Sequence, residues 1–266
     1  MKRSILVRQR KGGVGKSAIA IALENALSGA GITMRLIDAD SPEEGDEGAS
    51  FSGVFGARAE QFLIQPNAAA VEMDPNELRR HWFPLCDAIV QGGALIDFGA
   101  NTNAPFDAAL EAGGWSEEFE DAGAELDVVI PITANPEALR GGIEGVESCR
   151  KVMPTARIIV ALVEKEGAFD PYKADPLYRR LLETRDSGVL FITIPKCVST
   201  LWRPVELARI DFRTAIAAAT ADPKGFGQQI GGMTRPDVRL GLGKLAEWYD
   251  HVVREFCAVG LVPSKE

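Results

Sequence analysis

Apolar positions along the chain fall into short continuous runs separated by helical stretches. Ser4–Gln9 predicts a first strand and Ser17–Leu27 a helix, followed by a second strand at Met34–Ile37. Ala94–Phe98, Leu126–Ile132, Arg157–Val163 and Val189–Ile194 predict four more strands, and Pro136–Val152 and Pro176–Thr184 two more helices. Several strands are apolar throughout instead of alternating, as strands covered on both faces are. The expected fold is α/β: a doubly wound, mainly parallel sheet with helices on both faces, a three-layer sandwich in a single domain spanning 1–266. The helix Ser17–Leu27 is apolar nearly all round and should be buried, with Gly29 and Gly31 ending it. A last helix, about Leu240–Phe256, puts Leu242, Leu245, Trp248, Tyr249, Val252, Val253 and Phe256 on one face, which packs against the body. Three segments lack apolar periodicity and are expected to be mobile surface: Ser41–Gly53, Gly113–Glu125 and Ala221–Gly232.

Composition narrows the class. Apolar residues at 46% and charged residues at 25% are the balance of a globular chain that can build a core without metal or disulfide staples. The net charge of −9 excludes a bulk basic surface, so any DNA contact must come from a local patch. Cys86, Cys149, Cys197 and Cys257 lie far apart, so they suggest neither a zinc site nor a disulfide framework. The apolar run Ile5–Val7 is too short for a signal peptide, and no stretch reaches the roughly 18 apolar residues of a membrane span. No membrane insertion is expected, and a bacterial cytoplasmic location fits.

The decisive segment is Lys11-Gly12-Gly13-Val14-Gly15-Lys16-Ser17-Ala18, between a strand and a helix. Glycines let successive backbone N–H groups turn inward around a phosphate, and the helix N-terminus adds its dipole. Lys16 is placed to reach the β and γ phosphates, and the Ser17 hydroxyl suits Mg²⁺, a hard cation. Two carboxylate elements follow. Leu36-Ile37-Asp38-Ala39-Asp40 ends the second strand, at the sheet edge where ligands bind in open α/β folds. Ala94-Leu95-Ile96-Asp97 is an apolar strand ending in Asp, a Walker B form.

The general P-loop pattern asks for glycine where Arg10 stands. The segment instead resembles the deviant Walker A motif, KGGxGK[ST], of the ParA/MinD superfamily of ATPases. The resemblance implies that Lys11 crosses a homodimer interface to touch the partner's nucleotide, and that ATP and Mg²⁺ are bound. It further implies catalytic roles for Lys11, Lys16 and Asp40, with Asp40 positioning the attacking water. Ser17, Asp38 and Asp97 would serve the metal. Ile194-Pro195-Lys196 resembles the family loop beside adenine, so Pro195 and Lys196 join the expected nucleotide contacts, although Thr200 replaces the pattern's valine. The preceding strand ends Glu164-Lys165 where the family has a base-reading Asn. Asp97-Phe98-Gly99-Ala100-Asn101 departs from the DxPP of partition proteins and looks more like ATPases of conjugative-plasmid transfer and mobilisation.

The function expected is a slow, dimerising ATPase switch for positioning, partition or transfer of DNA or other cargo, stimulated by an activator protein. One alternative is a nucleotide-gated adaptor with negligible turnover; another is a P-loop small-molecule kinase or ligase. Arg203, Arg209, Arg213, Arg235 and Arg239 could form a patch for non-specific DNA binding. His81 and His251 have no partner constellation and read as structural.

Overall fold

The computed structural model describes residues 3–40, 50–62 and 80–264. Its sheet has seven strands: β1 (Arg3–Val7), β2 (Arg35–Ala39), β3 (Ala59–Gln61), β4 (Ala94–Phe98), β5 (Glu125–Thr133), β6 (Arg157–Val163) and β7 (Leu190–Ile194). Their order is β3-β2-β4-β1-β5-β6-β7, and every pairing is parallel. The chain leaves β1 toward one side of the sheet, while β5, β6 and β7 extend the other. The C-terminal end of β1 therefore sits where strand order reverses, the usual ligand position in open α/β sheets.

Side-chain alternation sorts the core into two layers. Leu6, Ile37, Ile96, Phe98, Val128, Ile130 and Val160 point to one face, beneath helices Phe83–Gln91, Asn103–Gly113, Trp115–Asp121, Pro136–Val152 and Pro176–Glu183. Ile5, Val7, Leu36, Leu95, Val129, Ile159 and Val163 point to the other, beneath helices Lys16–Gly29, Phe51–Phe55, Trp202–Leu207, Phe212–Ala221, Pro223–Gln229 and Arg235–Ala258. Coverage on both sides explains the unbroken apolar run of β6.

The expected α/β architecture is the one observed, with strand and helix bounds moved by a residue or two. Two of the three supposed surface segments are helical. Within 113–125, helix Trp115–Asp121 buries Trp115 and Phe119, and Trp115 makes aromatic contacts with both Phe83 and Phe119. Within 221–232, helix Pro223–Gln229 is capped by Asp222 and buries Phe226. One or two anchoring aromatics suffice for such short helices, and so few apolar positions give no detectable period. Of Ser41–Gly53, residues 41–49 lie outside the described residues, and the remainder enters helix Phe51–Phe55, capped by Ser50. The first helix runs through Gly29, with Ala30 at its C-cap and Gly31 just beyond. The last helix starts earlier than expected, at Arg235, because Thr234 and Asp237 form a capping box. No helix among the described residues is long and apolar enough to cross a membrane.

Candidate functional site

The turn after β1 is built around two left-handed glycines, Gly13 at φ +74° and Gly15 at φ +94°. That backbone is costly for any residue with a Cβ. Gly15 is the N-cap of helix Lys16–Gly29, but no side chain caps this end and no acidic residue occupies its first turn. Its leading N–H groups and positive dipole end are thus left to an outside acceptor. Val14 is buried and pins the turn to the core. The Lys16 side chain is mostly buried and its ammonium donates to the Lys11 carbonyl at 3.3 Å. Burial pulls its pKa below the usual lysine value, against the opposing pull of Asp97 and Asp40.

The three expected carboxylates converge on this helix end. Asp38 and Asp97 are register partners in adjacent strands, both on the face covered by helix Lys16–Gly29, and both are buried. Asp97 has both carboxylate oxygens sealed from solvent without a hydrogen-bond partner. Burial pushes its pKa up to about 8, helped by the charges of Asp38 and Asp40. The Ser17 hydroxyl and the Lys16 ammonium pull the other way, although Ser17 falls short of hydrogen-bond geometry. A buried acceptor pair left open beside a hydroxyl and a lysine fits a hydrated hard cation. Among the described residues, no group of three or more His, Cys, Asp or Glu side chains could hold a metal unaided. A magnesium ion here would complete its shell with oxygens from outside the chain, such as water or phosphate.

Asp38 is differently employed. Its Oδ1 accepts from the Asp40 backbone N–H at 3.1 Å and its Oδ2 from that of Ser52 at 2.8 Å. Those bonds tie Asp40, just beyond β2, to the start of helix Phe51–Phe55. Asp40 follows at the sheet edge, with its carboxylate against Gly99.

Several further residues meet at the site, and of these Arg8, Gln9, Asn103 and Asp107 carried no sequence signal. Arg8, buried just before the loop, donates through Nε to Asn103 Oδ1 at 2.9 Å and through its terminal nitrogen to Asp107 Oδ1 at 2.6 Å. Its guanidinium also lies over the rings of Phe98 and Phe106. Asp107 is held on its far side by Ser148. Gln9 reaches the Pro131 and Ala138 carbonyls. Lys165, standing where a base-reading Asn was expected, donates to the Gly13 carbonyl at 2.6 Å. Lys11 is paired within its own subunit with Glu137 at 2.5 Å, which raises its pKa. These partners lie tens of residues or more away in sequence, so spacing could not reveal them.

The remaining expectations scatter. Pro195 leaves the end of β7, next to β6, and its carbonyl accepts from Trp248 Nε1, while Lys196 is exposed beside it. Arg203 pairs with Glu206, Arg209 packs on Gly53, and the Arg213 backbone donates to Asn25. Arg235 and Arg239 are exposed on the last helix, so the five arginines are spread over three helices and a linker. A cavity of about 220 Å³ opens along helix Lys16–Gly29, lined by Glu24, Asn25, Arg58, Asp211 and Arg213. It is remote from the glycine turn, and its carboxylates and guanidiniums largely offset one another.

No protein-family model matches the sequence, and no curated protein matches it. Among solved structures, the chain is similar to the MinC:MinD cell division protein complex of Aquifex aeolicus, with a TM-score of 0.40 and 13% identity. That match covers 91% of this chain and 96% of the other.

Proposed function

We propose that this chain is a P-loop ATPase of the ParA/MinD kind, which binds Mg-ATP, closes as a nucleotide-sandwich dimer and hydrolyses ATP slowly as a switch. One observation carries the reading. A helix N-terminus free of caps and acidic residues opens from a turn of two left-handed glycines, with the unpartnered Asp97 carboxylate beside Lys16 and Ser17.

In this reading the backbone of Gly12–Ser17 wraps the phosphates, and Ala18 adds a donor from the first helical turn. Lys16 neutralises charge on the β and γ groups. Ser17 directly, and Asp97 through water, would hold magnesium, which when bound spreads the charge of the phosphate oxygens. Asp38 shapes the turn that presents Asp40. Asp40 orients a water whose oxygen bonds to the γ phosphorus as the bridging P–O bond breaks and ADP takes the electron pair. Lys11 leaves Glu137 to reach the phosphates of the partner subunit, so closure and nucleotide state are coupled. Pro195 and Lys196 flank the base. The output is positioning, partition or transfer of a cargo, with an activator protein setting the rate.

Sedimentation with ADP, ATP and ATP plus DNA tests this. ATP, and not ADP, should double the mass; an unchanged monomer with saturating ATP overturns the sandwich. A second reading, a nucleotide-gated adaptor without turnover, draws on Gly99-Ala100 standing where the family has two prolines. Equal phosphate release by the wild type and Asp40→Ala would favour the adaptor.

A further inference from the structure

Gly99, two residues beyond Asp97, has an ordinary extended backbone (φ −63°, ψ 158°) that any residue could adopt. Its lack of a side chain therefore answers to space and not to torsion. A Cβ built there would lie 2.1 Å from Asp40 Oδ1, 2.9 Å from Asp40 Cγ and 3.1 Å from its Cα. The Asp40 carboxylate occupies the volume that a methyl group would fill.

Neither backbone is free to retreat. The Gly99 N–H donates to the Ala39 carbonyl at 3.1 Å. Its carbonyl accepts from Thr102 Oγ1 at 2.8 Å and from Asn103 Nδ2 at 2.7 Å. Asn103 is itself buried, with its other contacts on Arg8 and the Gln9 carbonyl, so the turn after β4 is fastened to the end of β1. On the other side, the Asp40 N–H is held by Asp38. With the Gly99 backbone held in this way, the Asp40 carboxylate is the first group that an added Cβ would press on.

We propose that Gly99 is a positioning residue for Asp40. Its bare Cα is the seat on which the Asp40 carboxylate rests, and Thr102 and Asn103 hold that seat in place. This rests on the reading in which Asp40 orients the attacking water.

The test is a double-mutant cycle of Gly99→Ala and Asp40→Ala. Misplacing the carboxylate by about 1 Å can cost up to about a hundred-fold in turnover. Gly99→Ala should lower kcat to the level of Asp40→Ala, leave KM and the calorimetric affinity for Mg-ATP within about two-fold, and add nothing in the double variant. Wild-type turnover by Gly99→Ala, or a double variant slower than both single variants, would overturn it. Urea unfolding without nucleotide gives a second readout. Gly99→Ala should destabilise the chain carrying Asp40 more than the chain carrying Asp40→Ala, in which only the 3.1 Å approach to the residue-40 Cα remains; an equal cost in both backgrounds would overturn the contact. If the wild type itself hydrolyses nothing, the ATPase reading fails by that fact alone, and the unfolding cycle still decides the seat.

Discussion

Lys165, at the end of β6, donates a 2.6 Å hydrogen bond to the carbonyl of Gly13, inside the glycine turn at the end of β1. Two strands that are not neighbours in the sheet are thereby joined at their C-terminal edges, with β5 between them. Directing this carbonyl outward helps leave the N–H groups of the turn facing inward. Lys165→Met should therefore weaken Mg-ATP binding about five-fold, the equivalent of roughly 1 kcal/mol for one exposed charged hydrogen bond. Calorimetry measures this directly, and an affinity equal to wild type would remove Lys165 from the site.

The Asp97 carboxyl makes stability depend on pH. Its pKa is pushed up to about 8 in the folded protein against an ordinary 3.8. Between those values the folded chain keeps a proton that the unfolded chain has lost. The contribution to stability is fully present below about pH 4, declines as pH rises, and is lost above about pH 8. Asp97→Asn should remove this slope and stabilise the nucleotide-free protein at pH 8 by on the order of a few kcal/mol. Urea unfolding between pH 4.5 and 9 compares the two chains; parallel curves would contradict the assignment.

Lys11 pairs with Glu137 across an exposed gap within one subunit. Removing an exposed lysine should leave the monomer's fold and its ATP affinity nearly unchanged. Lys11→Ala should nonetheless sediment as a monomer with ATP under conditions where the wild type dimerises. Normal ATP-dependent dimerisation by this variant would refute the crossing role.

Arg8 and Asp107 form a buried ion pair beneath the glycine turn. Asp107→Ala would strand a buried guanidinium and should cost about 3–5 kcal/mol in unfolding experiments. Arg8→Met combined with Asp107→Leu should recover much of that loss, because no charge is then left unpaired. A double variant as unstable as Asp107→Ala would mean that the network is needed as a whole.

How legible the site was depended on range. Lys16, Ser17, Asp38, Asp40 and Asp97 stood out because each is fixed by neighbours in its own strand or turn. Arg8, Asn103 and Lys165 did not, since the partners that bring them to the site are 95, 94 and 152 residues away. Phe119 and Phe226 were passed over for a related reason. Each lies in a short helix anchored by only one or two buried aromatics, too few to create a period.

The sequence alone determined the alternation of strands and helices, the glycine turn between β1 and its helix, and the strand-end carboxylates. Local backbone preference and the period of apolar residues act within a dozen positions, so they are written in the order of the residues. Only the tertiary structure decided that Asp38 is spent on backbone N–H groups, that Asp97 is left without a partner, and that Asp40 rests on Gly99. Those outcomes come from strand order and register, which bring β2 and β4 side by side although 54 residues lie between Ala39, the end of β2, and Ala94, the start of β4. Burial, and the competition for donors and space that follows from it, exists only once the sheet has closed.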